Sequence, residues 1–548
     1  LKLVHSIIPQ ATKEADVMQQ ADAIGIQRAV AWPLWESAIV AVLAIAVTAG
    51  YIGATGQVWE DFLITFRYSQ NLIEGKGLVY NEGERVHGFT SPLGVLLPAF
   101  FYALLRDGSY EKSLLCFRIL SILAYAGGGL ITVRALHRAY PQSRGTRMAF
   151  MLFYLLEAKS VAFSTNGMET ALMLLFMGCG LALLMEPERW WARGFCWAGL
   201  LWTRPDGCVF VAALAATDLA FAGTLRRRLL YSLLRSALVA SLLYAPWIAW
   251  AWSYYSSPIP NTLLAKARPP GMAWTKVLHR MYVAFPDRAA EVFTPVYYPV
   301  TWNEPEWINY AAHVLGIFCA TYWLVPGGSR LGRSASFCFA LLGVYLSFVE
   351  MAFPWYFPPM ALCGLIAMTD AIGRLYGATH HPALGRGLAV FLTVAVAGGM
   401  GCLLGMTAWQ MRVQQREVEA GNRERVGLWL RERVRSDENV FVEALGYIGY
   451  FSGARMVDWP GLISPQVIQL RRTQQLDYSS VVDALAPDWV VARPNQIPQG
   501  AYFRQNYVPV QWFDVRPQLT RFSRVPGMPY LLADAAFCVF RKNSGIPK

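Results

Sequence analysis

Two adjacent carboxylates, Glu60 and Asp61, follow the first long apolar run, in Trp59-Glu60-Asp61-Phe62-Leu63-Ile64-Thr65-Phe66-Arg67-Tyr68. Carboxylates held beside aromatic residues at a membrane boundary are costly, which makes them functional candidates. Withdrawal from water and a like-charged neighbour both raise the pKa of one member, and a nearby arginine lowers it. A carboxylate tuned in this way is suited to take a proton from an attacking hydroxyl. The plain alternative is a solvated interfacial pair with Arg67 as its ionic partner.

The elements that must position this pair are set by composition. Of 548 residues, 55% are hydrophobic and 15% charged, and 20 are Trp; an ordinary globular protein carries roughly 25% charged residues. Mean hydropathy is +0.32. This profile excludes a disordered chain, a collagen-like fibre and a disulfide-stapled secreted domain, and indicates a polytopic membrane protein. The nine cysteines are scattered without metal spacing and read as packing residues.

A crossing needs about 20 mostly apolar residues. About eleven stretches qualify or nearly do: 35–55, 113–137, 147–164, 168–185, 192–204, 207–223, 230–252, 306–325, 335–353, 356–373 and 387–409. The apolar run Pro92–Leu105 is short for a span and reads as an in-plane or re-entrant helix. Arg204-Pro205-Asp206-Gly207 marks a broken helix, tolerated only where protein or a polar cavity covers the backbone.

The net charge of +12 would suit nucleic acid if it were clustered, but it falls in alternate short loops: Arg138, Arg144 and Arg147; Arg189 and Arg193; Arg226–Arg228 and Arg235; Arg330 and Arg333; Arg374 and Arg386. By the positive-inside rule these are cytoplasmic, so no nucleic-acid partner is expected. Segment 1–34 then reads as a cytoplasmic N-terminal segment and 35–409 as the transmembrane domain. The outer face receives loop 56–112, the tip Asn166–Thr170, loop 253–305 and a trailing domain, 410–548. In that domain Arg416–Arg435 has helical charge patterning, and Asn439–Val442 and Asp488–Ala492 look like strands, so a small α/β unit is expected.

The run from Asn71 through Gly75, Gly77-Leu78-Val79-Tyr80-Asn81 and Gly83-Glu84 to His87-Gly88-Phe89-Thr90-Ser91-Pro92-Leu93 resembles the first extracytoplasmic loop of bacterial GT-C glycosyltransferases. The nearest subgroup is similar to the mycobacterial terminal β-1,2-arabinofuranosyltransferase family. Asn166-Gly167-Met168-Glu169-Thr170, Thr203-Arg204-Pro205-Asp206-Gly207, Tyr254-Tyr255 with Pro260-Asn261-Thr262 and Lys266, and Gly446-Tyr447-Ile448-Gly449 follow in the same order as that family's other motifs. Two positions depart from the pattern: Glu60 stands where the family has the first of two Asp, and His87 where it has Glu.

The resemblance implies a GT-C type fold of about eleven transmembrane helices, and an inverting transfer of sugar from a polyprenyl-phosphate donor to an acceptor hydroxyl outside the bacterial inner membrane. The acceptor is a glycan, lipid or protein. Asp61 is the expected base, with Glu60 the alternative for that role on an arm one methylene longer, and Glu169 orients base or acceptor or pairs with an arginine. Lys266, Arg204 and Arg67 are expected at the donor phosphate. For Arg204 the alternative is a salt bridge with Asp206 at the following helix start; for Lys266 it is interfacial snorkelling. His87, Asn261, Glu350 and Tyr356 are the substrate-binding candidates. The alternatives are a loop hydrogen bond for His87 and an interfacial belt for the aromatic run around Glu350. No metal or other cofactor is expected. The rival classes are a non-catalytic scaffold of the same fold and a transporter or flippase of lipid-linked sugar.

Overall fold

A computed structural model describes residues 33–105, 109–266, 274–296, 306–349, 352–377 and 381–543. All but the last two residues of the N-terminal segment lie outside these residues, as do Glu350 and residues 267–273 and 297–305 of the loop 253–305.

Each of the eleven apolar stretches contains helix. Five helices are long and apolar enough to cross a membrane: Trp35–Thr55, Tyr110–Ala139, Gly223–Tyr255, Arg330–Phe348 and Pro382–Arg431. Arg144–Leu156 and Ala158–Thr165 make a sixth crossing if counted as one helix bent by 55°. Length and composition among the described residues therefore support five or six crossings where eleven stretches were expected. Several of the other expected spans are short apolar helices, such as Thr170–Ala182 and Gly207–Ala220. Pro92–Leu105 is a 14-residue helix, as its length requires.

Helix α1 (Leu34–Thr55) ends at Gly56, whose φ of 61° closes the last turn in the left-handed region. Trp59 is extended, and α2 (Glu60–Ile73) begins at once with both carboxylates in its first turn, where acidic side chains suit the positive end of the helix dipole. Phe62 and Phe66 stack at 5.6 Å on the face of α2 turned to the protein's main hydrophobic core. The bend at Glu157 has a local cause: its carboxylate accepts from the backbone N–H groups of Lys159 and Ser160, starting a new helix.

The last long helix, Pro382–Val413, continues through a π-helical stretch, Gln414–Arg423, into Glu424–Arg431. The transmembrane and trailing parts are thus joined by continuous helix, with no loop at residue 410. Beyond it lies a five-stranded sheet of order β2-β1-β3-β5-β4, with β1 Asn439–Val442, β2 Arg455–Asp458, β3 Trp489–Ala492, β4 Tyr507–Asp514 and β5 Ala536–Lys542. β1 pairs parallel with β2 and β3, while β5 pairs antiparallel with β3 and β4. The two strands read from sequence are β1 and, shorter by one residue, β3.

Candidate functional site

Three separate breaks in regular structure bring the candidate residues together. The Trp59 N–H donates to the Asn166 carbonyl at 2.9 Å, stitching the start of α2 to the turn that carries Glu169. Arg118 reinforces the joint, donating to the carbonyls of Thr165 and Gln57. Glu169 reaches the third break: Arg204 Nη1 donates to it at 3.2 Å, while Arg204 Nε donates to Asp206 at 2.9 Å. The second Asp206 oxygen is buried without a hydrogen-bond partner among the described residues.

Asp61 is half-buried, and its carboxylate makes no hydrogen bond or ion pair among the described residues. Loss of water pushes its carboxyl up to about 6, with Lys266 the strongest opposing charge. Glu60 and Glu169 add to the upward push, and Arg204 opposes it. Burial also raises the pKa of Glu169, against the pull of Arg204. One carboxylate without a partner thus sits in the field of two cations, which is the arrangement a general base near neutral pH needs.

The two cations rest on one aromatic floor. Lys266 Nζ lies 4.9 Å from the Phe353 ring centroid, and the Arg204 guanidinium 4.7 Å from that of Tyr356. Phe353 stacks on Trp355 at 4.6 Å, and Trp355 meets Trp59 edge-on at 5.7 Å. Lys266 forms no ion pair, and Arg204 Nη2 makes no hydrogen bond, among the described residues. Both retain donor capacity for an anion, held in place by rings and carboxylates.

Glu60 points elsewhere. Its carboxylate accepts from Arg423 Nη1 at 2.9 Å and from the Gly446 N–H at 3.0 Å, both in the trailing part of the chain. A Cβ at position 446 would collide with the Glu60 side chain and carbonyl, so glycine permits this approach.

A family model described as a domain of unknown function, DUF8728, matches residues 409–540. The terminal beta-(1->2)-arabinofuranosyltransferase of Mycobacterium tuberculosis (strain ATCC 25618 / H37Rv) is 28% identical over 290 residues, covering 48% of this chain and 42% of that protein. The match therefore spans less than half of the curated relative. The crystal structure of ArnT from Cupriavidus metallidurans bound to undecaprenyl phosphate superposes with a TM-score of 0.51 at 14% identity, over 93% of this chain and 99% of that one. The apo state of ArnT gives 0.55 at 13% identity, over 92% and 97%. The chain has the fold of the GT-C membrane glycosyltransferases.

Within this fold, Asp61, Glu169, Arg204, Lys266 and Tyr356 share one neighbourhood, while four expectations need correction or cannot be followed. Arg67, expected at the donor phosphate or paired with the acids, is buried and spent on carbonyls. It donates to Tyr80 at 3.0 Å, Gly449 at 2.6 Å and Ala454 at 2.8 Å, with its guanidinium over the Tyr80 ring. Asn261, expected at the substrate, donates to the carbonyls of Gly461 and Leu462 and ties its loop to the trailing domain. His87 stacks on Tyr255 at 4.7 Å, and burial lowers its pKa to about 4, so it is a neutral packing ring. Glu350 lies outside the described residues. For Arg204 the salt bridge with Asp206 exists, yet the Asp206 side chain caps no backbone N–H of the next helix.

Arg423 belongs to the stretch Arg416–Arg435, expected from its charge patterning to be helical and not singled out as a site residue. It is buried, pairing with Glu60, Glu419 and Asp534. Its spacing to Glu419 is also that of an exposed i,i+4 pair, so local pattern could not single it out. Arg118 was missed because it acts through contacts with distant segments, and Phe353, in the aromatic run after Glu350, could not be matched to Lys266 from sequence for the same reason.

Proposed function

We propose that this chain is an inverting glycosyltransferase of the bacterial cytoplasmic membrane, moving a sugar from a polyprenyl-phosphate donor to an acceptor hydroxyl at the outer face. The observation that carries the reading is Asp61: an unpaired carboxylate, raised to about 6, in the field of Lys266 and Arg204. The ArnT crystal structure bound to undecaprenyl phosphate supports a lipid-phosphate donor. The mycobacterial relative, named for arabinofuranosyl transfer, makes an arabinofuranose-like sugar the first to test.

In this reading the acceptor hydroxyl attacks the anomeric carbon while its proton passes to an Asp61 oxygen. The bond from that carbon to the phosphate oxygen breaks on the opposite face, and the electron pair stays with the polyprenyl phosphate. Lys266 and the free edge of Arg204 stabilise the charge that develops on the leaving group. The Phe353–Trp355–Tyr356 floor lies beneath both cations: Arg204 is buried against it, which strengthens its field, while Lys266 stays exposed and able to reach a donor phosphate. Among the described residues no three His, Cys, Asp or Glu side chains gather as metal ligands. Lys266 and Arg204 can supply the positive charge themselves, so no metal is included in the mechanism, and turnover is expected to survive a chelator.

The test is sugar transfer by the purified chain in liposomes, given a panel of polyprenyl-phosphate sugars, with Asp61→Asn in parallel. Transfer by the wild type, lost about a hundredfold or more in the variant, supports the reading. Absence of turnover with every donor, from folded protein that still binds undecaprenyl phosphate, overturns it in favour of a scaffold.

A further inference from the structure

The trailing domain does not sit apart from the outer loop. Tyr447 Oη donates to the Val58 carbonyl, the Gly446 N–H and Arg423 hold Glu60, and Arg67 bonds to the Gly449 and Ala454 carbonyls. Asn81 donates to the Met456 carbonyl and accepts from the Met456 N–H. Two of these contacts act directly on the first turn of α2, and both end on Glu60. Arg423 in turn is fixed by Glu419 at 3.0 Å and Asp534 at 2.6 Å, and Asp534 is held by Arg493.

We propose that Glu60 is a positioning residue, and that the trailing domain, through Arg423 and the Gly446 N–H, sets the orientation and charge environment of the neighbouring Asp61. This rests on the reading of Asp61 as the base. Both Glu60 oxygens are engaged by the trailing domain, so an acceptor hydroxyl would compete there with two held contacts, whereas the Asp61 carboxylate has none among the described residues. Adjacent side chains on a helix point about 100° apart, so clamping Glu60 toward Arg423 fixes Asp61 on a different bearing. The charges facing Asp61 are Glu60 on its own helix, Lys266 from the 261–266 helix, Glu169 from the 166–169 turn and Arg204 from the helix break. Glu60 is the one whose charge is shared with an arginine of the trailing domain.

The two ends of this latch give opposite shifts. Glu60→Gln removes a negative neighbour and leaves Arg423 less neutralised; both effects favour ionised Asp61. The acid limb of the transfer pH profile should move down by about half a pH unit or more, with kcat at its plateau kept within about threefold. Arg423→Gln exposes Asp61 to an unshared Glu60 charge, and the limb should move up. A Glu60→Gln variant as inactive as Asp61→Asn overturns the proposal, because Glu60 is then the base; an unmoved limb overturns it too.

A readout without turnover separates this idea from the enzymatic reading. In full-length protein carrying Asp61→Cys, the pH dependence of maleimide alkylation at position 61, followed by peptide mass, reports the local field. Adding Glu60→Gln should lower the pH of half-maximal alkylation, while no shift overturns the latch even if Arg423→Gln fails to fold. If the shift is found but no donor turns over, the latch stands and the function proposed above fails.

Discussion

Arg204 and Glu169 are ion-paired at 3.2 Å, although they come from two different interruptions between helices, and only 7% of each side chain meets solvent. With Asp206 as a second partner, the arginine is balanced by two carboxylates before any substrate arrives. Removing one member of a buried pair leaves the other charged and unpaired, at a cost of about 3–5 kcal/mol. Arg204→Met should therefore lower the thermal midpoint of the detergent-solubilised protein by several degrees, and Arg204→Met with Glu169→Met should recover part of the loss.

Asp61 carries the clearest pH prediction. Its carboxyl titrates at about 6 in place of an ordinary 3.8, because folding removes it from water. A base must be ionised, so transfer should rise with pH through about 6. The linkage has the opposite sign: a raised carboxyl pKa favours the protonated folded state, so this stabilisation is present below pH 3.8 and is lost as pH rises through 6. At neutral pH the ionised group is a burden of up to about 3 kcal/mol. Asp61→Asn should abolish transfer yet raise the thermal midpoint at pH 7.5, and a lowered midpoint would contradict this account.

Lys266 opposes the upward push on Asp61 and is free of ion pairs among the described residues. Lys266→Met should raise the KM for the lipid donor about tenfold, the scale of one lost charge-assisted contact, with little change in thermal midpoint. It should also shift the acid limb above pH 6, since the lysine lowers the carboxyl pKa. A kinetic series from pH 5 to 8 checks both effects at once.

Arg67 and Lys266 were expected to share a task, and their substitutions should now separate them. Arg67→Met takes the guanidinium from the carbonyls of Tyr80, Gly449 and Ala454; Tyr80 keeps Asn71 and Gly449 keeps Ser452 as donors, so the loss centres on Ala454 and on the lost packing, about 1–3 kcal/mol. Lower yield and a lower thermal midpoint are expected, with the donor KM of the surviving protein near wild type. Arg67→Lys should not restore stability, because one ammonium cannot replace a guanidinium spread over three carbonyls.

His87 offers a control. Its ring is buried against Tyr255 and titrates at about 4, so it stays neutral above pH 5. His87→Phe should leave the pH profile between 5 and 8 unchanged, and a limb that moves with this substitution would bring His87 back among the acid–base groups.

The membrane class, the helical stretches, the strand runs Asn439–Val442 and Asp488–Ala492, and the acidic pair after the first long helix were legible in the amino-acid order. Each depends on local quantities: apolar length against bilayer thickness, side-chain alternation, and charges adjacent in sequence. What each charge does was not legible. Glu60 and Asp61 are neighbours, yet one is bound by Arg423, 363 positions away, and the other faces Lys266. The pairings of Arg67 and Asn261 with backbone carbonyls leave no trace in residue type, because every residue carries a carbonyl. Glu419 and Arg423 look like a solvated helix face until a second element covers them. An ionisable side chain takes its role from dielectric and partner, and both are supplied by segments far away in the chain, so the tertiary structure alone divided catalytic candidates from brackets.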